Sequence, residues 1–191
     1  MIIALTISVL PVSYTEAASN KTQVKKAVNN YFKFGKKLNL IKMRNYFWDS
    51  SKDNEDDLDL NNPLFKFHRK QNKKYFKYKI KSVSVKGSRA KVKLKVTYRS
   101  FKKATAAAFE DTIALSMKKE IDDDKLVDYL LKYIKVEAKK KKPKTITKTF
   151  TLKLKKKNNK WKINDDNPVI LDVVTCDFIS AFMDLFNDLN V

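Results

Sequence analysis

The 191-residue chain has one cysteine, Cys176. A lone thiol cannot form an internal disulfide, so packing must hold the fold together. Cys176 lies within an apolar helical pattern and is expected to be a buried, inert thiol. The one histidine, His68, excludes a histidine-based triad and a multi-histidine metal site. It is flanked by Phe67, Arg69 and Lys70 and reads as a surface residue. With only Gly35 and Gly87, the chain has no glycine-rich phosphate loop. Arginine is confined to Arg44, Arg69, Arg89 and Arg99. Specific nucleic-acid readers rely on its bidentate fork, so a specific nucleic-acid partner is not expected. After residue 18, no segment is long and apolar enough to span a bilayer.

Lysine is abundant. The formal net charge is +21, a balance that attracts polyanions. At the N-terminus, Ile2 to Val12 is an apolar run broken only by Thr6, Ser8 and Pro11, and Ala17-Ala18-Ser19 follows at signal-peptidase spacing. A short apolar core before a small-residue site reads as an export signal. Residues 1–18 are therefore expected to be a signal peptide and 19–191 a single secreted, envelope-associated domain. The available polyanions would then be wall teichoic acids, anionic lipid head groups and stray nucleic acid.

Val24, Ala27, Val28, Tyr31 and Phe32 recur at helical steps up to Gly35. Leu40 to Phe47 forms a second short helix, with Asn39 as its cap. Asp53, Glu55, Asp57 and Asp59 alternate in a polar stretch. The glycine and distal glutamate of a calcium loop are not at the required places, so it reads as a solvated acidic loop and no metal is expected. From Tyr75 the period becomes two. Tyr78 and Ile80 share one parity and Val83 and Val85 the other, which predicts a bulge near Lys81-Ser82. After a turn at Lys86-Gly87-Ser88, Ala90, Val92, Leu94, Val96 and Tyr98 alternate with basic residues.

Two helices are expected next, the first through Phe109, Ile113 and Met117 and the second after Asp122 to Asp124, forming an insertion at about 103–138. Ile146, Phe150, Leu152 and Leu154 mark a third strand, Asn158-Asn159 a hairpin turn, and Trp161 and Ile163 the returning strand. One terminal helix is expected from Asn167-Pro168 through Leu189, with Asp172, Asp177, Asp184 and Asp188 largely off its apolar side. The fold class is α+β: an N-terminal helical hairpin on a curved antiparallel sheet of about four strands, a helical insertion between strand pairs, and a C-terminal helix.

Val28-Asn29-Asn30-Tyr31-Phe32 through Tyr46-Phe47, Tyr78 to Val83, and Phe150 to Lys155 with Trp161-Lys162-Ile163 give this order of elements. In it the chain resembles the nuclear transport factor 2-like superfamily, cystatin-like α+β cones. It looks most like small exported proteins and lipoproteins of Gram-positive bacteria whose domains have no assigned function. The resemblance implies a cone, and in some members an enzyme with an Asp base and a Tyr or acid donor. The inward strand positions of this chain hold no carboxylate, and Tyr98 alone supplies a donor. The expected function is therefore non-catalytic, with no cofactor: an exported interaction protein. Arg89, Lys91, Lys93, Lys95, Arg99, Lys153, Lys155, Lys160 and Lys162 would contact an envelope polyanion, with Tyr98 and Trp161 as pocket candidates. Another exported protein is an alternative partner. The other readings are a solvated face that resists edge aggregation, a small-ligand-binding or isomerase-like cone, and a non-specific nucleic-acid binder.

Overall fold

The structure is a computed structural model and describes residues 12–48, 61–118, 122, 125–164 and 169–189. Helix α1 (Val12–Lys36) and the short α2 (Leu40–Arg44) form the N-terminal pair. Asn39 caps α2 by accepting a hydrogen bond from the Lys42 amide at 3.0 Å. Helix α3 (Pro63–Tyr75) leads into β1 (Lys77–Lys86) and β2 (Arg89–Ser100). Helices α4 (Lys102–Met117) and α5 (Leu126–Lys141) form the insertion, β3 (Lys144–Lys157) and β4 (Lys160–Ile163) complete the sheet, and α6 (Val169–Val174) and α7 (Phe178–Leu189) end the described chain. The fold is thus α+β, with seven helices and four strands among the described residues.

The sheet is antiparallel in the order β1-β2-β3-β4. Its register shifts between Ile80 and Ser82, where the change of apolar parity predicts a bulge. Asn158 and Asn159 both have positive φ, 48° and 58°, as a two-residue hairpin turn demands. Alternate residues of β2 (Ala90, Val92, Leu94, Val96 and Tyr98) are buried against α1 residues Val24, Val28, Tyr31 and Phe32 in one core. An aromatic layer joins them: the Phe32 ring stacks on Tyr78 at 5.0 Å, and Tyr31 meets Phe47 edge-on at 5.4 Å. Gly35 lets α1 approach α6 closely, since a Cβ there would lie 2.8 Å from Val174 Cγ1.

Three expectations need correction. Helix α3 lies in a stretch given no element above. Its start follows ordinary rules, with Asn62 accepting from the Phe65 amide and Pro63 in the first turn, but its buried residues are the polar His68 and Asn72. His68 is therefore not a surface residue. The single terminal helix is two helices. Among the described residues, α4 buries small residues such as Ala104, Thr105 and Ala108 beside Phe109, leaving Ile113 and Met117 exposed. The acidic stretch Asp53–Asp59, the cap Asn167-Pro168, Asp123-Asp124 and residues 1–11 of the expected signal lie outside the described residues. The expected cleavage site, Ala17-Ala18-Ser19, falls within α1. No described helix is long and apolar enough to cross a membrane.

Candidate functional sites: a cationic sheet face and a polar cavity

The four strands carry no aspartate or glutamate. Their inward positions pack on the helices, while the basic outward positions stay in solvent. Pairing converts a one-strand pattern into a two-dimensional one. Lys86 opposes Arg89, Arg89 opposes Lys155, and Lys155 opposes Lys162, a row across all four strands. Lys91 opposes Lys153, Lys79 opposes Lys95, and Lys157 opposes Lys160. Lys93 lies between Ser82 and Thr151. Like charges directly opposite one another destabilise a sheet, so these rows hold repulsion that a polyanion would relieve.

The edges of this face are anchored. The Phe47–Ile163 bridge brings Trp48 beside β4, and the Nζ atoms of Lys155 and Lys157 lie 5.1 and 5.2 Å from its ring centroid. Lys162 donates to the Asn45 carbonyl; burial, then neighbouring Lys160 and Lys157, lower its pKa. Arg99 is engaged elsewhere: its guanidinium donates to the Tyr75 hydroxyl at 2.8 Å and stacks over that ring. The nine basic residues expected to act together therefore divide. Arg89, Lys91, Lys93, Lys95, Lys153, Lys155 and Lys160 are exposed, whereas Lys162 and Arg99 are half-buried.

Tyr98 and Trp161 do not share a pocket. Tyr98 is level with Ile146 and Trp161 with Lys156, at opposite ends of β3. Trp161 is buried, and its Nε1 has no hydrogen-bond partner among the described residues. Tyr98 belongs to a polar cluster built where the terminal helix breaks. At the end of α6, the Asp177 amide reaches back to the Asp172 carbonyl at 2.8 Å, with Cys176 in the left-handed conformation at φ 60°. This is a Schellman-type ending, in which glycine usually fills the left-handed position. Asp177 follows at φ 63°. The turn is clamped from two sides: Asn72 Nδ2 donates to the Val174 carbonyl at 2.6 Å, and the Phe101 amide to the Cys176 carbonyl at 2.9 Å.

The break turns two carboxylates inward, contrary to the expectation that both lie off the buried side. Asp177 Oδ1 accepts from the Tyr98 hydroxyl at 2.6 Å and from Lys148 Nζ at 3.0 Å. Asp172 Oδ1 accepts from the Ser180 amide at 2.9 Å, and its Oδ2 lies 3.8 Å from Lys148 Nζ. Burial and the adjoining Asp177 raise the Tyr98 pKa, so the phenol is a hydrogen-bond donor and not a base. Lys148 carried a signal that went unused: it occupies the inward parity of β3 between Ile146 and Phe150. The cluster forms one side of a cavity of about 720 Å³, lined also by Phe101, Ala104, Pro143, Ile146 and lysines 102, 103, 141, 142 and 144. Replacing Tyr98 with Phe removes a buried hydrogen bond to a charged acceptor. The variant is expected to lose about 1.5–3 kcal/mol in urea unfolding.

Behind this turn lies His68, 3 % exposed, between the rings of Phe67 and Phe178, with neither ring nitrogen hydrogen-bonded among the described residues. Burial lowers its pKa from 6.5 to about 4. The unfolded chain takes up this proton near pH 6.5 and the folded chain only near 4, so the contribution is complete above pH 6.5 and lost as pH falls to 4. At 1.36 kcal/mol per pKa unit, roughly 3 kcal/mol is at stake. Urea titrations at pH 7.5 and 4 are expected to show this fall, and His68→Leu to remove that share of it. Cys176 is also buried, and its thiol pKa is pushed up to about 12, first by burial and then by Asp177. The burial is as expected, and a raised thiol pKa keeps the reactive thiolate scarce. Among the described residues, no group of three or more His, Cys, Asp or Glu is placed to hold a metal ion.

An α+β domain with a cationic sheet face and a charged cavity at one end of that sheet is the class of protein these features define. Over residues 14–183 the chain matches the model of the family described as Domain of unknown function (DUF5105), and it belongs to that family. No curated protein and no solved structure matches it.

Proposed function

We propose that the protein is a non-catalytic binding protein of the cell envelope that holds anionic polymers or anionic lipid surfaces against its outer sheet face. The observation that carries this reading is the row Lys86, Arg89, Lys155, Lys162, together with the like-charged pairs beside it. Exposed lysines on one strand are a common solubility feature. Like charges placed opposite each other across four strands cost stability, and a polyanion recovers that cost. The export signal read in residues 1–18 supports an envelope location, and the helix-on-sheet layout supports a nuclear transport factor 2-like cone. Contacts of this kind are screened beyond about 10 Å at 0.1 M salt. The test is retention of the protein on teichoic acid, and on phosphatidylglycerol vesicles against phosphatidylcholine vesicles, across a salt series. Retention on the anionic supports that falls steeply with salt is the expected result. Retention insensitive to salt, or equal on neutral vesicles, overturns the reading.

A further inference from the structure

The cavity beside Asp172 and Asp177 has a charge pattern of its own, separate from the outer face. Its polar wall sets one lysine, Lys148, against two carboxylates. Asp177 in that wall is only 2 % exposed. Every hydrogen bond to either carboxylate ends on Oδ1. The second oxygen of each is left without a hydrogen bond among the described residues, and both side chains line the cavity. Each carboxylate thus keeps one oxygen able to accept from a donor that enters the cavity, best a charged one.

The turn that ends α5 lines the same cavity with the reverse sign. Lys141, Lys142 and Lys144 line the cavity around Pro143, where Lys142 turns the chain at φ 42°. None of the three has an acidic partner within 4.0 Å among the described residues, whereas Lys102 on the same cavity is neutralised by Asp184 at 2.6 Å. Phe101, Ala104, Pro143 and Ile146 add apolar surface to the same cavity. A simple anion would satisfy the lysines and be repelled by the carboxylates. A simple cation would meet the reverse. A molecule with an ammonium at one end and a carboxylate at the other satisfies both, and a volume of about 720 Å³ lies in the usual range for small-ligand sites.

From this geometry we infer that the cavity binds a short peptide with free termini. Its ammonium is held by the Oδ2 atoms of Asp172 and Asp177, and its carboxylate by Lys141, Lys142 and Lys144. The test is titration calorimetry of the full chain with trialanine, N-acetyl-trialanine and trialanine amide. Trialanine is expected to bind saturably, and blocking either end to weaken binding at least about tenfold, the factor that follows from losing one charged contact worth 1.5–3 kcal/mol. Asp172→Asn is expected to do the same. Because Asp172 also holds the start of α7, the blocked peptides on the unaltered protein decide the matter if that variant unfolds. Equal binding of the acetylated and free peptides, or no heat with any of the three at millimolar concentration, overturns the inference.

Discussion

Replacing Leu94 with Ala is expected to lower the unfolding free energy by about 2–5 kcal/mol, the range for large-to-small changes at closed core sites. Leu94 is fully buried in a central strand, with Ile80 opposite on β1 and Phe150 opposite on β3. The residues around it are set by two sheet partners and by α1, so they cannot collapse easily into the space left. That places the expected loss in the upper half of the range. A domain of this size has about 5–15 kcal/mol of stability in all. The variant should therefore show a clearly lower urea midpoint with an unchanged slope. A loss under about 1 kcal/mol would mean that the β2 face is not the centre of the core.

Changing Lys91, Lys93, Lys95 and Lys153 together to Gln is expected to produce the largest change in binding. A lysine near an anionic bilayer is worth about 1 kcal/mol, so four removed charges amount to about 4 kcal/mol, close to a thousandfold at low salt. Their effect on the fold has the opposite sign. The Lys91–Lys153 pair and the Lys79–Lys95 pair are relieved of repulsion, so the variant should be at least as stable as the parent. Loss of vesicle binding with unchanged or raised stability separates a binding face from a structural one. Equal binding of variant and parent would show that the lysines serve solubility alone.

The strands were readable in the sequence because a half-buried strand declares itself residue by residue. Ala90 to Tyr98 alternates without a fault, and even the bulge is written in the shift from Tyr78 and Ile80 to Val83 and Val85. Helix α3 was missed because its fully buried residues, His68 and Asn72, are polar, and its apolar residues Leu64, Phe65 and Phe67 are confined to its first turns. The break after α6 was missed for a related reason. Chain reversals are read from glycine and proline, and here Cys176 and Asp177 hold positive φ because Asn72 and Phe101 clamp the turn from distant parts of the chain. The cavity depends on that break. Asp172 and Asp177 follow the helical period as surface residues, and only a reversal held by tertiary contacts turns them toward Lys148. Lys148 itself was legible, as a charge on an otherwise apolar parity.

The two borders of the sheet are finished differently. On the β4 side, the Tyr46 carbonyl accepts from the Ile163 amide at 2.6 Å and the Ile163 carbonyl from the Trp48 amide at 2.8 Å, which occupies both backbone groups of Ile163 at that border. The β1 side pairs with no further strand among the described residues. An open border of this kind is a template on which a second chain can add by main-chain pairing, the first step of fibre growth. Here the register shift at Ile80–Ser82 falls in the middle of β1, with Lys77, Lys79, Lys81 and Lys86 along the strand. An incoming strand would meet a kinked row of amides and a line of cations it has no means to neutralise. The same lysines that crowd the outer face thus give the β1 border protection against self-association.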